Sequence, residues 1–535
     1  MRLKKFLAAG VVSLAAISLA ACSNNGSSSN NKKTISWMDS AEIPSMDISK
    51  ATDATSFTQL NNVEEGLYRL GNHAKAQPAL AKKTTVSKDG KAYTFTLRPS
   101  KWSDGKQLTA KDFVYSWRRT INPKTNSQYA YLFEGIQNAD AIQDNKKPVS
   151  SLGVKAQGKY KLVVKLDRRI PYFKLLMAFP LFFPQQKAMV DKAGSKYGTA
   201  SKYVAYNGPF VQKGWTGSNL SWKLQKNPNY WDKKAVKLDT INYSVQKTPS
   251  TAYNLYQSKK LDATVLDSQE TKNLANHSGF TLRDTASTFY LEYNQAKNKY
   301  LKNANLRKAI SLAINRKQLS TSVGGRNKPA HSFTAVNLTQ VNGKDYVDAV
   351  KDPYAKYDPK EAKTYWKKAQ QELGTKNISL SILSDDTDAG QKTTEFLQSQ
   401  LESNLPGLKI SVQNVPFKTR LSRSAKGDFQ IVVSGWSADF ADPISFLDLL
   451  TTGNTQNDGK WSNTQYDQLI DKSKNEANST KRFSEMSQAE NILMDDQGVS
   501  PLYHQTQAWL VNPNVKGVVY NGAGAAYSFK TAYVK

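Results

Sequence analysis

Three short runs decide the fold class: Tyr93-Thr94-Phe95-Thr96-Leu97-Arg98, then Lys101-Trp102-Ser103-Asp104-Gly105, then Leu108-Thr109-Ala110-Lys111-Asp112-Phe113. The first alternates apolar and polar residues, the period of a half-buried strand. Asp-Gly in the second marks a turn. In the third, Thr109 and Asp112 bracket a helix start, and Phe113, Val114 and Trp117 continue at helical spacing. The same signals recur further along. Tyr160 to Leu166 and Ile241 to Val245 alternate like strands. Asp358-Pro359-Lys360-Glu361 opens a helix with a cap, a proline at the first helical position and an acid in the first turn, and Gly374 closes it after Leu373. Strands and helices interleave throughout, so the expected class is mixed α/β.

Composition bounds the rest. The chain has 535 residues, 39% hydrophobic and 10% aromatic. That is enough apolar material for packed cores and more than one ordinary domain holds, so two or three are expected. Net charge is +30, carried by 60 Lys against 14 Arg. Base readout favours arginine forks, and the lysines are scattered with no nucleic-acid motif, so a solvated surface facing an anionic envelope is expected and no nucleic-acid partner. The only cysteine is Cys22 and the four histidines are dispersed, which excludes an intramolecular disulfide and leaves no metal site or cofactor to predict. No Gly-x-Ser-x-Gly, His-Glu-x-x-His or phosphate-binding loop occurs, and nothing points to an enzyme. Asp385 to Gly390 hints at a calcium loop but lacks its register and reads as a polar surface turn.

The N-terminus carries an address. Arg2, Lys4 and Lys5 precede an apolar run from Phe6 to Ala21, too short to span a bilayer and typical of a secretory signal. It ends in Leu19-Ala20-Ala21-Cys22, which resembles the lipobox of bacterial lipoproteins. That resemblance implies removal of residues 1–21 and lipid (palmitate among its acyl chains) on Cys22. Residues 22–33, rich in Ser and Asn, would form a tether. The expected location is the extracytoplasmic face of the cell membrane, by a lipid anchor.

Many further segments resemble the oligopeptide-binding lipoproteins of bacterial ABC importers, the extracytoplasmic solute-binding proteins of family 5. Ser45-Met46-Asp47, Glu65-Gly66-Leu67-Tyr68, Pro78-Ala79-Leu80-Ala81 and the three opening runs carry the likeness. So do Asn207-Gly208-Pro209-Phe210, Asn227-Pro228-Asn229-Tyr230-Trp231-Asp232, the helix Leu306-Arg307-Lys308-Ala309-Ile310 to Ile314-Asn315-Arg316, Gly435-Trp436-Ser437-Ala438-Asp439-Phe440 and Pro501-Leu502-Tyr503. The resemblance implies a two-lobed, hinged, periplasmic-binding-protein-like α/β fold with an additional domain on lobe I. By it, lobe I comprises 34–64, 187–289 and 504–535, the additional domain 65–186, and lobe II 290–503. It further implies a monomer that closes on an oligopeptide and delivers it to permease subunits in the membrane, with the ATPase on separate chains.

By the same resemblance, Asp439 meets the peptide ammonium, with Trp436, Gly435 and Ser437 beside it, and Tyr129 also touches the peptide. Arginines that hold the C-terminus of short peptides in relatives fall here on Ser424 and Val433, and Arg423 is the neighbouring substitute. Other occupants stay open: a pheromone peptide, a metal chelate, haem or a sugar. So does a surface adhesin using the lysine-rich face. Independently of the family, Asp442 before Pro443 is the better cap for a helix running from Ile444 through Leu450 to Gly453. That leaves Asp439 among apolar neighbours without a structural duty.

Overall fold

The opening runs fold as their residues dictate. Ala92–Leu97 is a strand that buries Tyr93, Phe95 and Leu97. In the turn, Gly105 donates its N–H to the Trp102 carbonyl at 2.9 Å and sits at φ +83°. The helix Ala110–Ile121 begins where Asp112 accepts the Thr109 N–H at 2.7 Å, and it buries Phe113, Trp117 and Ile121. This computed structural model describes residues 33–535. The leader, Cys22 and the tether up to residue 32 lie outside the described residues.

Three sheets organise the chain. The first is antiparallel, in the order Ala81–Val86, Ala92–Leu97, Lys161–Lys165, Val154–Ala156. The second sets Thr34–Asp39 parallel to Thr240–Val245, followed by the antiparallel strands Ser221–Lys226 and Phe210–Lys213. The third, seven-stranded, is mixed. Its parallel part is Leu408–Val415, Ile378–Asp385 and Ile431–Ser437. The helix Asp388–Asn404 crosses over between the first two in sequence, as parallel pairing requires. The antiparallel part is built on two long strands, Phe280–Tyr293 and Val499–Val511. One end of this pair lies beside Ala263–Val265 and the other beside Ile431–Ser437. Its register shifts between Asp284 and Thr288 and again at Phe289 and Tyr290. Such bulges bend and twist a ladder, and these lie where the long strands run past the cavity described below.

Three local readings need correction. The run from Ala304 to Arg316 is not one helix: Ala304–Leu312 ends, and Asn315 caps a second, Arg316–Val323, accepting the Gln318 N–H at 3.1 Å. The segment after Pro443 is helical only over Ile444–Leu447 and tightens into a 3₁₀ turn at Asp448–Leu450. There the Asp448 carbonyl accepts the Thr451 N–H at 3.3 Å, the i+3 bond of a 3₁₀ turn, together with the Thr451 hydroxyl and the Asn454 amide. Asp385 to Gly390 is not a bare surface turn either. The Thr387 hydroxyl caps Asp388–Asn404 by accepting the Gly390 N–H at 3.1 Å, and Asp385 faces a cavity.

Candidate functional site

The strand Ile431–Ser437 delivers the first part of the site. It is buried up to Ser434, and Gly435, opposite Phe289 in the register, faces the cavity. A Cβ at Gly435 would come within 2.9 Å of the Phe289 ring, so the close approach of strand and ring needs glycine here. Trp436 is buried beside it, with its indole N–H unpaired. Ser437 shares a 2.6 Å hydrogen bond with the Ser287 hydroxyl. The chain then leaves the sheet, and Asp439 is fixed through its backbone, its N–H donating to the Ser445 hydroxyl at 2.8 Å.

The other wall comes from far away in sequence. Tyr129, buried, stacks on Trp436 with ring centroids 5.9 Å apart and planes 15° apart, and its hydroxyl donates to Asp439 Oδ1 at 3.2 Å. Asp439 Oδ2 is buried with no hydrogen-bond partner. Burial pushes the Asp439 carboxyl well above the ordinary carboxylate range, and the Tyr129 hydrogen bond offsets only part of that. Tyr129 is itself pushed up by burial and by the neighbouring Asp439. Asp442 behaves differently. It caps Ile444 at 3.0 Å and forms a two-pronged ion pair with Arg482, both contacts 2.8 Å. The two aspartates have separate duties, as their contexts suggest.

Asp439, Trp436, Tyr129, Gly435 and Ser437 all line one cavity of about 240 Å³. A second, of about 210 Å³, shares Phe289, Asp385, Phe417, Val433 and Gln505 with it. A third, of about 180 Å³, shares Ala54, Ser437, Gln505 and Gly524. The three adjoin as one cleft.

The charged lining includes residues that the sequence reading missed. Carboxyls come from Asp53, Glu292, Asp385, Asp439 and Asp458, and the only cation is Arg420. Arg423 is not the substitute expected for the missing arginines: its guanidinium is tied to Asp428 at 3.0 Å. Arg420 lies one turn earlier on the helix Phe417–Ala425, on the inward face with Phe417 and Leu421. That i, i+3, i+4 spacing was the available signal. Asp53 caps Ala54–Val63, accepting the Ser56 N–H at 2.8 Å on Oδ1, while its Oδ2 stays unpaired. Burial pushes Asp53 up to about 6, Asp458 to about 6 and Glu292 to about 8. Glu292 keeps one fixed partner, the Gly459 N–H at 2.6 Å. Among the described residues no group of three His, Cys, Asp or Glu side chains is arranged to hold a metal ion.

Beside the cavity, residues of 128–172 and 440–482 meet through charges that are fully paired. Lys474 donates to Glu134 and to Asp448 at 2.5 and 2.6 Å, and Arg168 donates to Glu134 at 2.9 Å and to the Lys474 carbonyl at 3.0 Å. Thr455 donates to the Gln128 carbonyl at 2.5 Å, and Tyr172 stacks on Phe440 at 4.9 Å.

Residues 75–458 match the family model described as bacterial extracellular solute-binding proteins, family 5. The chain belongs to that family. It is a binding protein and not an enzyme. It is 39% identical to the dipeptide-binding protein of Lactococcus lactis, over 98% of each chain. Listeria monocytogenes OppA bound to peptide is 38% identical, with a TM-score of 0.90, covering 94% of this chain and 99% of that one. The two-lobed binding-protein fold expected from the sequence is therefore confirmed. The murein tripeptide-binding protein MppA of Escherichia coli, 28% identical, sharpens the comparison. One MppA structure, matched over 94% of this chain and 98% of that one, gives a TM-score of 0.86. Its unliganded open form, matched over 94% and 97%, gives only 0.61. Taken over the whole chain, this family 5 protein thus matches that open form less well. No helix among the described residues is long and apolar enough to cross a membrane.

Proposed function

We propose that this chain captures peptides outside the cytoplasmic membrane and delivers them to an ABC-type permease whose ATPase resides on other chains. In this reading residues 34–64, 187–289 and 504–535 form one lobe, which carries 65–186, and residues 290–503 form the other. The ligand lies between the lobes and draws them together by hinge motion. Lipid on Cys22 holds the monomer at the membrane while the soluble body works.

One observation carries the peptide reading: Asp439, which lines the cavity, keeps a buried, unpaired carboxyl oxygen. An unpaired buried carboxyl is costly, and an ammonium group offsets that cost. Tyr129 and Trp436 supply rigid aromatic walls around it. The printed descriptions of the relatives agree in kind, since those named above bind dipeptides, peptides or a murein tripeptide.

Calorimetry with one peptide, its N-terminus free or acetylated, tests the reading on wild type and Asp439→Asn. Wild type should favour the free amine by about 2–5 kcal/mol, the range for truncating one side of a buried charge pair, and the variant should discriminate weakly. Equal wild-type affinities would exclude Asp439 as the amine anchor. Bound peptide should also raise the melting temperature with concentration. Cys22→Ala should move the protein from the membrane fraction to the soluble one, and a variant still pelleting with membranes would refute the lipid anchor.

A further inference from the structure

The carboxyl ends of two parallel strand pairs meet through charge beside the second cavity. Glu42 and Lys247 follow the strands Thr34–Asp39 and Thr240–Val245. Asp386 and Lys418 follow Ile378–Asp385 and Leu408–Val415, which belong to a different sheet. Lys247 Nζ donates to both carboxylate oxygens of Asp386, at 2.8 and 2.6 Å, and lies 3.8 Å from Glu42 Oε2. Two backbone bonds run alongside. The Asp388 N–H, in the first turn of Asp388–Asn404, donates to the Lys247 carbonyl at 3.3 Å. The Lys418 N–H, in the first turn of Phe417–Ala425, donates to Glu42 Oε1 at 3.3 Å. The first N–H groups of a helix have no partner within it, and here two of them are satisfied from the opposite sheet.

We propose that Lys247 and Asp386 form a latch across the rim of the cleft, which holds the two lobes together and sets how long a captured ligand stays. The inference rests on the two-lobed peptide reading above and adds positioning residues to it. In that reading Glu42 and Lys247 belong to one lobe, and Asp386, Asp388 and Lys418 to the other. The lobe boundaries at 289 and 503 fall within the long strands Phe280–Tyr293 and Val499–Val511, so opening bends those strands and must separate Lys247 from Asp386. Lys247 lines the second cavity with Gln246, facing Asp388 and Phe417, whereas Asp386 lines none of the three adjoining cavities. Asp386 therefore acts on the ligand only through the lobes. The side chains of Lys247 and Asp386 stay 29% and 26% exposed, against 8% for Lys474 in the paired cluster. Water can take over each of these contacts as the lobes part, and Lys247 keeps Glu42 beside it. Such a pair is weak enough to open.

The experiment follows release of isotope-labelled trialanine into excess unlabelled peptide. Asp386→Asn should release it about two- to five-fold faster than wild type, with an unchanged urea midpoint. Asp386→Glu keeps the charge and should recover part of the residence time. In a Lys247→Met background Asp386→Asn should add nothing, because the pair is already broken. Raising salt from about 0.05 to 0.5 M should bring wild type toward the Asp386→Asn rate and leave the variant little changed. Lys187→Met is the control: its partner Asp191 lies on the same helix, and release should match wild type. Equal release from wild type and Asp386→Asn overturns the latch while leaving the peptide reading intact. A urea midpoint that falls with Asp386→Asn also overturns it, since the pair would then serve the fold. Should trialanine not bind, the peptide reading loses its support, and X-ray scattering from the protein alone decides the latch. Asp386→Asn should then show a larger mean radius of gyration than wild type, and equal radii overturn the proposal.

Discussion

Two groups of buried charge lie side by side in this protein, and they are built on opposite terms. In one, Glu134, Arg168, Asp448 and Lys474 satisfy one another at 2.5–2.9 Å. In the other, Asp53, Asp439 and Arg420 each keep at least one polar atom without a partner while lining a cavity. Their titration follows. Burial alone would lower Lys474 and raise Glu134, yet the surrounding opposite charges push the lysine up and hold the glutamate down, and only Asp448 is still raised by burial. Around the cavity burial prevails, and Asp53, Glu292, Asp439 and Asp458 all rise. The paired cluster joins segments of the chain. The unpaired one lines a cavity.

The comparison breaks most visibly at Lys474. Lys474→Met should strand Asp448 in the interior, while Arg168 still pairs Glu134, and destabilise the fold by about 3–5 kcal/mol, read as a lower urea midpoint at pH 7. An unchanged midpoint would mean that the cluster is no more than a solvated surface pair. Glu292 sharpens the other side. Burial pushes its carboxyl up to about 8 in the fold, from the ordinary 4.5 of an exposed glutamate. A raised acid adds stability that is complete below the unfolded pKa and is lost as pH climbs through the folded one. Wild type should therefore lose stability between about pH 4.5 and 8, and Glu292→Gln should flatten that slope by up to about 5 kcal/mol across the window. Parallel pH profiles for the two proteins would show that Glu292 is already solvated. The smallest effect is expected at the Tyr172–Phe440 stack beside the paired cluster. Phe440→Leu should cost about 0.5–1.5 kcal/mol with little change in peptide affinity, and a large affinity loss would place the stack in the binding site.

What was legible in the sequence was local. Asp358 with Pro359, Thr109 with Asp112, and Asp442 before Pro443 are pairings within a few residues, and each forms. Asp439 came from the family resemblance, with Asp442 accounting separately for the cap, and Gly435, Trp436, Ser437 and Asp439 line the cavity together with Tyr129. Long-range partners were not legible. Glu134 and Lys474 are 340 residues apart, and Tyr129 and Asp439 are 310 apart. No spacing rule links lysines to acids over such distances in a chain with 60 of the former. Arg420 is an intermediate case. The inward face of Phe417–Ala425 can be read from its periodicity, but Arg423 shares the same short helix, and only the packing shows which of the two guanidinium groups meets Asp428.

Trp436 gives the site an optical property. Of the ten tryptophans in the chain, it alone lines the main cavity, with its indole N–H unpaired, Tyr129 stacked on its face and Asp439 three residues away. Charge that arrives or leaves in a weakly screened interior acts strongly on its neighbours, and an indole converts that change of field into a change of emission. The protein therefore carries its own gauge of occupancy, with Trp436 at the main cavity, Trp509 at the third and the other eight elsewhere as a steady background.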